Sequence, residues 1–314
     1  MVALSPARAP MESLITLQSP TSPAVPPLPV GRSRAAVPLP LPAPGWGAAD
    51  ALAALEAARP QLPPLPAAAT VVSALSTVVL RAGDRAVKVY PLGTDPAHLD
   101  LLRRGLAGVA SVVPWDVEPV ETPHGVVTAM PWVSSAGVLD WPAVGALLRA
   151  FHDQTAAVDV PAWTPLSRLA GTVSDLPPEQ AAVLLGARAE LLVALDSVGS
   201  VLGTGVLHGD VSLDNALLTT DGPRFIDPDW VARGPREYDL ASAARRLAHG
   251  EITRSAYAAF CDAYGHDVRS WPGLPVLDRI AELGAVAFRL WDCRHHGREL
   301  GWLDAELRRW RMAV

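Results

Sequence analysis

The chain has 314 residues, half of them apolar and 18% charged, enough to bury a sizeable core, so wholesale disorder is excluded. Acidic residues outnumber basic ones 32 to 26, which argues against a nucleic-acid surface. Cys261 and Cys293 cannot make a disulfide framework, and no apolar run reaches bilayer-spanning length, so the expectation is a cytoplasmic protein with no membrane partner and no obligate protein partner.

Residues 1–45 hold eleven prolines and read as a disordered or polyproline-like arm. Residues 49–58 predict a short helix. From Thr70 the character changes to β-branched runs, ATVVSALSTVVLRAGD and RAVKVYPL, joined by a turn at Gly83-Asp84, which is a hairpin signal. Lys88 is the only lysine beside 25 arginines, so its retention invites a specific role for a compact ammonium. It alternates with Val87 and Val89, so it faces away from the valines. A helix over 96–109 follows, then strands in VVPWDVEPVE and GVVTAMPWV around Gly125. Residues 46–132 therefore form a small β-rich unit, and 133–140 a linker. The remainder, 133–314, is mainly helical. Helices are expected from Trp141, from Pro178 (the longest), and over 239–249, 251–264 and 275–310.

One segment interrupts the helices: VLHGDVSLDNALLTTDGPRFIDPDWVA. Its strands ALLTT and PRFID turn at Asp221-Gly222, and that hairpin brings Asn215 and Asp227 together. An amide oxygen and a carboxylate are hard ligands suited to Mg2+ that also binds substrate phosphates. Asp210, just upstream, is placed to orient and deprotonate an attacking hydroxyl. A lysine on a separate β-unit would hold phosphate oxygens. Together these are the parts of phosphoryl transfer.

LHGDVSLDNALL, FIDPDW and GPREYDLA together resemble the aminoglycoside phosphotransferase family of small-molecule kinases, within the protein-kinase-like superfamily. The resemblance covers roughly 66–310, with its specific part at 206–241. It implies an α+β, bilobal fold with a β-rich N-terminal lobe and a larger helical C-terminal lobe. It implies ATP and Mg2+ as cofactors, and a small-molecule acceptor: an aminoglycoside, another antibiotic, an amino alcohol or a sugar-like metabolite. Asp210 takes the base position, with His208 holding the loop and Asp239 supporting it from the next helix. Asn215 and Asp227 take the metal positions, and Asp229 helps the loop or the metal. Lys88 matches the strand lysine. Thr128, Met130 and Trp132 lie in a stretch resembling the adenine hinge, and His152 resembles an architectural histidine.

Two features depart from the pattern. ATVVSALSTVVLR lacks the glycines of a phosphate-covering loop; Ser73, Ala74 and Ser76 would have to serve. The helix after Lys88 carries no glutamate, leaving Asp100, then Asp95, as its partner. These departures keep open a second reading, a catalytically weak homologue acting as a nucleotide-binding or scaffold module. On the acceptor side, Asp262, Asp267, Asp292 and Glu299 are candidates to attract a cationic substrate. Trp141, Trp163, Trp271, Trp291 and Trp302 are candidates to border its pocket, with core packing the alternative for each.

Overall fold

The computed structural model describes residues 39–312. The expectation for residues 1–38 lies outside them. Residues 39–45, read as part of the arm, instead pack on the body: Leu39 is buried, its carbonyl accepts from Arg168 Nε at 2.5 Å, and Pro42 O accepts from Trp291 Nε1 at 2.9 Å. Proline-rich backbone has few donors of its own, but its carbonyls remain good acceptors.

The N-terminal part is an antiparallel sheet of β1 (Thr70–Ala74), β2 (Val78–Ala82), β3 (Arg85–Tyr90), β4 (Val120–Thr122) and β5 (Gly125–Pro131), in the order β1-β2-β3-β5-β4. Helix α1 (Ala48–Ala58) buries Ala51, Ala54, Leu55 and Ala58, a stripe at helical spacing, against the face carrying Val87, Val89, Val127 and Ala129. On the other face, α2 (Pro96–Gly105) buries Leu99 and Leu102. Of the run VVPWDVEPVE only the last residues form a strand; Pro114 and Pro119 withhold donors from any longer ladder.

The rest is mainly helical: α3 (Trp141–Gln154), α4 (Leu169–Thr172), α5 (Pro178–Ser197), α6 (Glu237–Ala248), α7 (Arg254–Tyr264), α8 (Leu274–His295) and α9 (Leu303–Met312). Among them lie β6 (Thr204–Leu207), β7 (Ala216–Thr219), β8 (Gly222–Phe225) and β9 (Ala232–Pro235), paired β7–β8 and β6–β9. This is the bilobal kinase-like fold. The helix expected over 275–310 is two helices, broken around Gly297, whose φ of 64° ends α8. At 22 residues α8 also exceeds α5, at 20.

One hydrophobic cluster joins the two parts. It runs from Tyr90, Leu99 and Leu102 through Leu148 and Phe151 to Phe225 and Leu240. Helices α3 and α7 pack so closely that a Cβ at Gly145 would strike the Phe260 carbonyl. Phe151, fully buried in that cluster, is worth about 3–5 kcal/mol against alanine. Trp141, Trp271 and Trp291 are core residues rather than pocket walls. A further cluster is built by α4, α5, α8 and α9.

Candidate active site

The period of a strand places Lys88 and Tyr90 on one face of β3 and Val87 and Val89 on the other, where they enter the sheet core. The buried Lys88 ammonium reaches across to the segment after β8. It pairs with the Asp227 carboxylate and, at 2.6 Å, with Asp229 Oδ2. Tyr90 OH donates to the other Asp229 oxygen at 2.7 Å. Burial works against the Lys88 charge, but Asp229 and Asp227 outweigh it and hold the ammonium above its ordinary range. Burial also pushes Asp229 up, to about 6, against the pull of Lys88. Burial opposes ionisation of Asp227 too, yet Lys88 holds it below the usual carboxylate range.

Asp100 and Asp95 do not reach Lys88. The Asp100 carboxylate is taken by its own helix, by Arg103 at 2.6 Å and Arg104 at 2.9 Å. Asp95 caps α2, accepting from Ala97 N at 2.9 Å. A short aspartate on α2 is satisfied locally, and the lysine finds its counter-ions in the other lobe. Asp229, expected to help the loop or the metal, is a buried partner of Lys88 and Tyr90.

The β7–β8 hairpin forms as expected. Ala216 pairs with Phe225, and Ile226 N donates to Asn215 O at 2.9 Å, so Asn215 lies beside the strand end that leads into Asp227. Asp227 adopts φ 58°, ψ 55°, a left-handed conformation that Asp tolerates better than most residues. That bend starts the short turn Pro228–Trp230 and lets Asp227 and Asp229 both face Lys88. Asn215 Nδ2 donates to the Asp210 backbone carbonyl and to Asp210 Oδ2, each at 2.9 Å. Burial raises the Asp210 carboxyl, with His208 and Asn215 opposing.

The loop carrying Asp210 hangs from α6. The buried Asp239 carboxylate accepts from His208 N at 2.7 Å and Gly209 N at 2.9 Å. It also accepts from His152 Nε2 at 3.0 Å, and the other ring nitrogen takes the Tyr264 hydroxyl at 2.9 Å. His208 lies 4.5 Å from the Phe225 ring and donates Nε2 to Ile226 O at 3.1 Å. Burial lowers its pKa, with Asp239 opposing, and its bond to Ile226 O ties the catalytic-loop segment to the end of β8. Gly209 has φ 84°, and a Cβ there would collide with the Trp230 carbonyl, so glycine is required.

Two supports had no motif to announce them. Buried Glu237 accepts from Ser200 Oγ, Val201 N and Leu202 N, fixing the chain that leads into β6. Arg168 lies 4.4 Å over the Trp230 ring; burial lowers its pKa to about 10, with Asp229 opposing.

The stretch expected to form the hinge runs from the middle of β5 to just past its end. Thr128 is in register with Lys88, and its buried hydroxyl donates to Lys88 O at 3.4 Å. Met130 is buried opposite Ala86. The Trp132 N–H donates to Asp84 O at 2.7 Å, so it is not free for adenine, and its ring stacks with Arg81 at 4.5 Å.

A model of the phosphotransferase enzyme family (APH) matches residues 47–283. The chain belongs to this family. Among solved structures it is similar to the amicoumacin kinase hAmiN in complex with AMP-PNP, Ca2+ and Ami, at 15% identity and TM-score 0.63, covering 82% of this chain and 91% of that one. It is similar to choline kinase LicA from Streptococcus pneumoniae at 14% identity and TM-score 0.58, covering 82% and 96%. A choline/ethanolamine kinase family protein from Mesorhizobium loti aligns at 16% identity and TM-score 0.55, covering 83% and 92%. At such identities the likeness is one of fold. No curated protein matches the chain. The family's general activity is ATP-dependent phosphoryl transfer. Among the described residues, no helix is long and apolar enough to cross a membrane.

Proposed function

We propose that the chain transfers the γ-phosphoryl group of ATP, with Mg2+, to a hydroxyl of a small molecule in the cytoplasm, using residues 46–132 as the nucleotide lobe and 133–314 as the catalytic lobe. The reading is carried by one juxtaposition: Lys88 of β3 meets Asp227 and Asp229, about 140 residues later, beside the Asp210–Asn215 pair.

Asp210 orients the acceptor hydroxyl and receives its proton; a raised carboxyl pKa suits that task. Lys88 holds phosphate oxygens, and the stretch from Thr128 through Met130 to Trp132 borders the adenine, with the Trp132 N–H kept by Asp84 O. Asp229 and Tyr90 keep the Lys88 ammonium in place, the task expected of an acid on α2. With that counter-ion supplied, the missing glutamate no longer favours an inactive homologue. Asp239, through the His208 and Gly209 amides, keeps the base on its loop.

Among the described residues no group of three or more His, Cys, Asp or Glu is arranged to hold a metal. A site of few protein oxygens completed by phosphates and water fits Mg2+ nonetheless, and Asn215 and Asp227 are the residues that would hold it. When bound, Mg2+ neutralises charge on the phosphate oxygens.

The test is ADP release and product mass with Mg2+, ATP and a panel of hydroxylated acceptors. Replacing Asp210 by Asn is expected to lower kcat by about 10²–10⁴-fold while nucleotide affinity stays. Turnover that survives Asp210→Asn would refute the assignment.

A further inference from the structure

The chain approaches α1 along a path that touches both lobes. Leu39 is buried in the cluster that holds Tyr90, Leu99 and Leu102 of the nucleotide lobe beside Leu148 and Phe151 of the catalytic lobe. Its carbonyl accepts from Arg168 Nε at 2.5 Å. Pro40 lies beside Gly93, just past β3. The Pro42 carbonyl takes the indole N–H of buried Trp291, on α8, at 2.9 Å. The chain then turns, Trp46 N donating to Ala43 O at 3.2 Å, and the Trp46 indole N–H reaches His124 O between β4 and β5 at 3.0 Å. Trp46 itself is buried with Leu55 and Val127.

Residues 39–46 thus grip the catalytic lobe at one end and the nucleotide lobe at the other. They tie the lobes a second time, besides the covalent linker 133–140. Pro40, Pro42 and Pro44 suit the path, because proline-rich backbone is already extended and loses little freedom when it docks on aromatic walls.

Arg168 connects this path to the candidate active site. Its guanidinium lies 4.4 Å over the Trp230 ring, and no carboxylate pairs with it among the described residues. A carbonyl and an aromatic face therefore hold a largely buried cation. On its other side Trp230 packs so closely on Gly209 that no side chain fits there. Gly209 precedes Asp210, and Asp229, which precedes Trp230, anchors Lys88. A shift of Trp230 would move the base loop and the counter-ion of Lys88 together.

We infer that residues 39–46 are a strap between the lobes, and that Arg168 is the positioning residue through which the strap fixes Trp230 and with it the Asp210 loop and the Asp229–Lys88 pair. Arg168 acts through Trp230 and not on the substrate. Its bearing on turnover rests on the phosphotransfer reading above; the strap itself does not.

Two substitutions in the full chain break the path at separate points. Trp291→Phe removes the indole N–H and keeps an aromatic ring in the core. Arg168→Gln removes the cation. Trp291→Phe is expected to speed hydrogen exchange of the His208 and Gly209 amides about tenfold, although Trp291 bonds to the strap and not to that loop. Arg168→Gln is expected to do the same. Each is expected to weaken binding of a non-hydrolysable ATP analogue with Mg2+ about three- to tenfold, the worth of one hydrogen bond or two. Because both act along one path, the double variant should lose less affinity than the product of the two losses. Arg289→Gln is the control. It removes a cation 4.2 Å over the Trp302 ring, on the same helix as Trp291, and should leave loop exchange and affinity unchanged.

Unchanged exchange and affinity in Trp291→Phe overturns the strap. Full additivity in the double variant, or equal losses in Arg289→Gln, overturns the path through Arg168. Should Arg168→Gln not fold, Arg168→Lys, which keeps the charge without the planar stack, takes its place, and Trp291→Phe still decides on the strap. ADP release with Mg2+, ATP and the acceptor panel is scored in parallel, and kcat is expected to fall in both variants. No release from the unaltered chain, with the exchange and affinity shifts intact, removes the phosphotransfer reading and leaves the strap standing. Turnover without those shifts does the reverse.

Discussion

Replacing Asp229 by Asn separates the two candidate anchors of Lys88. The substitution keeps shape and leaves Tyr90 a carbonyl oxygen to bond, but it removes one of the two carboxylates on a buried ammonium. Removing one partner of a buried ion pair costs about 3–5 kcal/mol. Asp227 remains on Lys88, so the lower end applies, about 3 kcal/mol. For a chain of 314 residues, at about 2.1 cal/mol/K of unfolding entropy per residue, 1 kcal/mol moves the melting temperature by about 1.5 °C, giving a fall of about 4–5 °C. Lys88, left with Asp227 alone, also closes on the carboxylate that the metal needs. Nucleotide binding with Mg2+ is expected to weaken about tenfold, or 1.4 kcal/mol. Asp100→Asn is the control. Its pairs with Arg103 and Arg104 lie on the helix surface and are worth about 0–1 kcal/mol, with no effect on nucleotide affinity. Thermal melts and calorimetric titration of a non-hydrolysable ATP analogue read both quantities. If Asp229→Asn matches the unaltered chain while Asp100→Asn loses stability and affinity, the anchor is on α2 and the reasoning is wrong.

Asp239→Asn removes the charge that gathers the His208 and Gly209 amides and the His152 ring; charge-assisted bonds of this kind are worth about 1.5–3 kcal/mol each, so kcat and melting temperature should fall together while nucleotide affinity, measured on the folded fraction, holds. His208 gives a pH signature. Its folded pKa is lowered by burial, so in the window just below its ordinary value near 6.5 the unfolded chain binds more protons. Its stability contribution is complete above that value and is lost as pH falls through the folded pKa; chemical denaturation at a series of pH values should show the decline, and His208→Gln should flatten it.

The parts of the site that could be read from the sequence are those whose geometry is local. Asn215 and Asp227 flank a short hairpin with an Asp-Gly turn, and a hairpin brings its ends together whatever surrounds it. Lys88 and its valines follow strand alternation. The error over Asp100 had a local signal too. Asp100, Arg103 and Arg104 stand at i, i+3 and i+4, a pattern that satisfies the acid on its own helix, and Asp95 before Pro96 is a helix start. Both spacings speak against either residue being free to cross to β3. The true counter-ion was illegible because Asp229 reaches Lys88 only once the β3 and β8 ends are stacked, 141 residues apart. The same holds for β6 and β9, four residues each with Gly205 and Gly234 facing one another, which carry too little pattern to announce a pairing. On the acceptor side, two of the candidate acids stand close in sequence to arginines. Arg269 stands two residues from Asp267 and Arg298 six from Asp292, and each guanidinium takes the acid it is near.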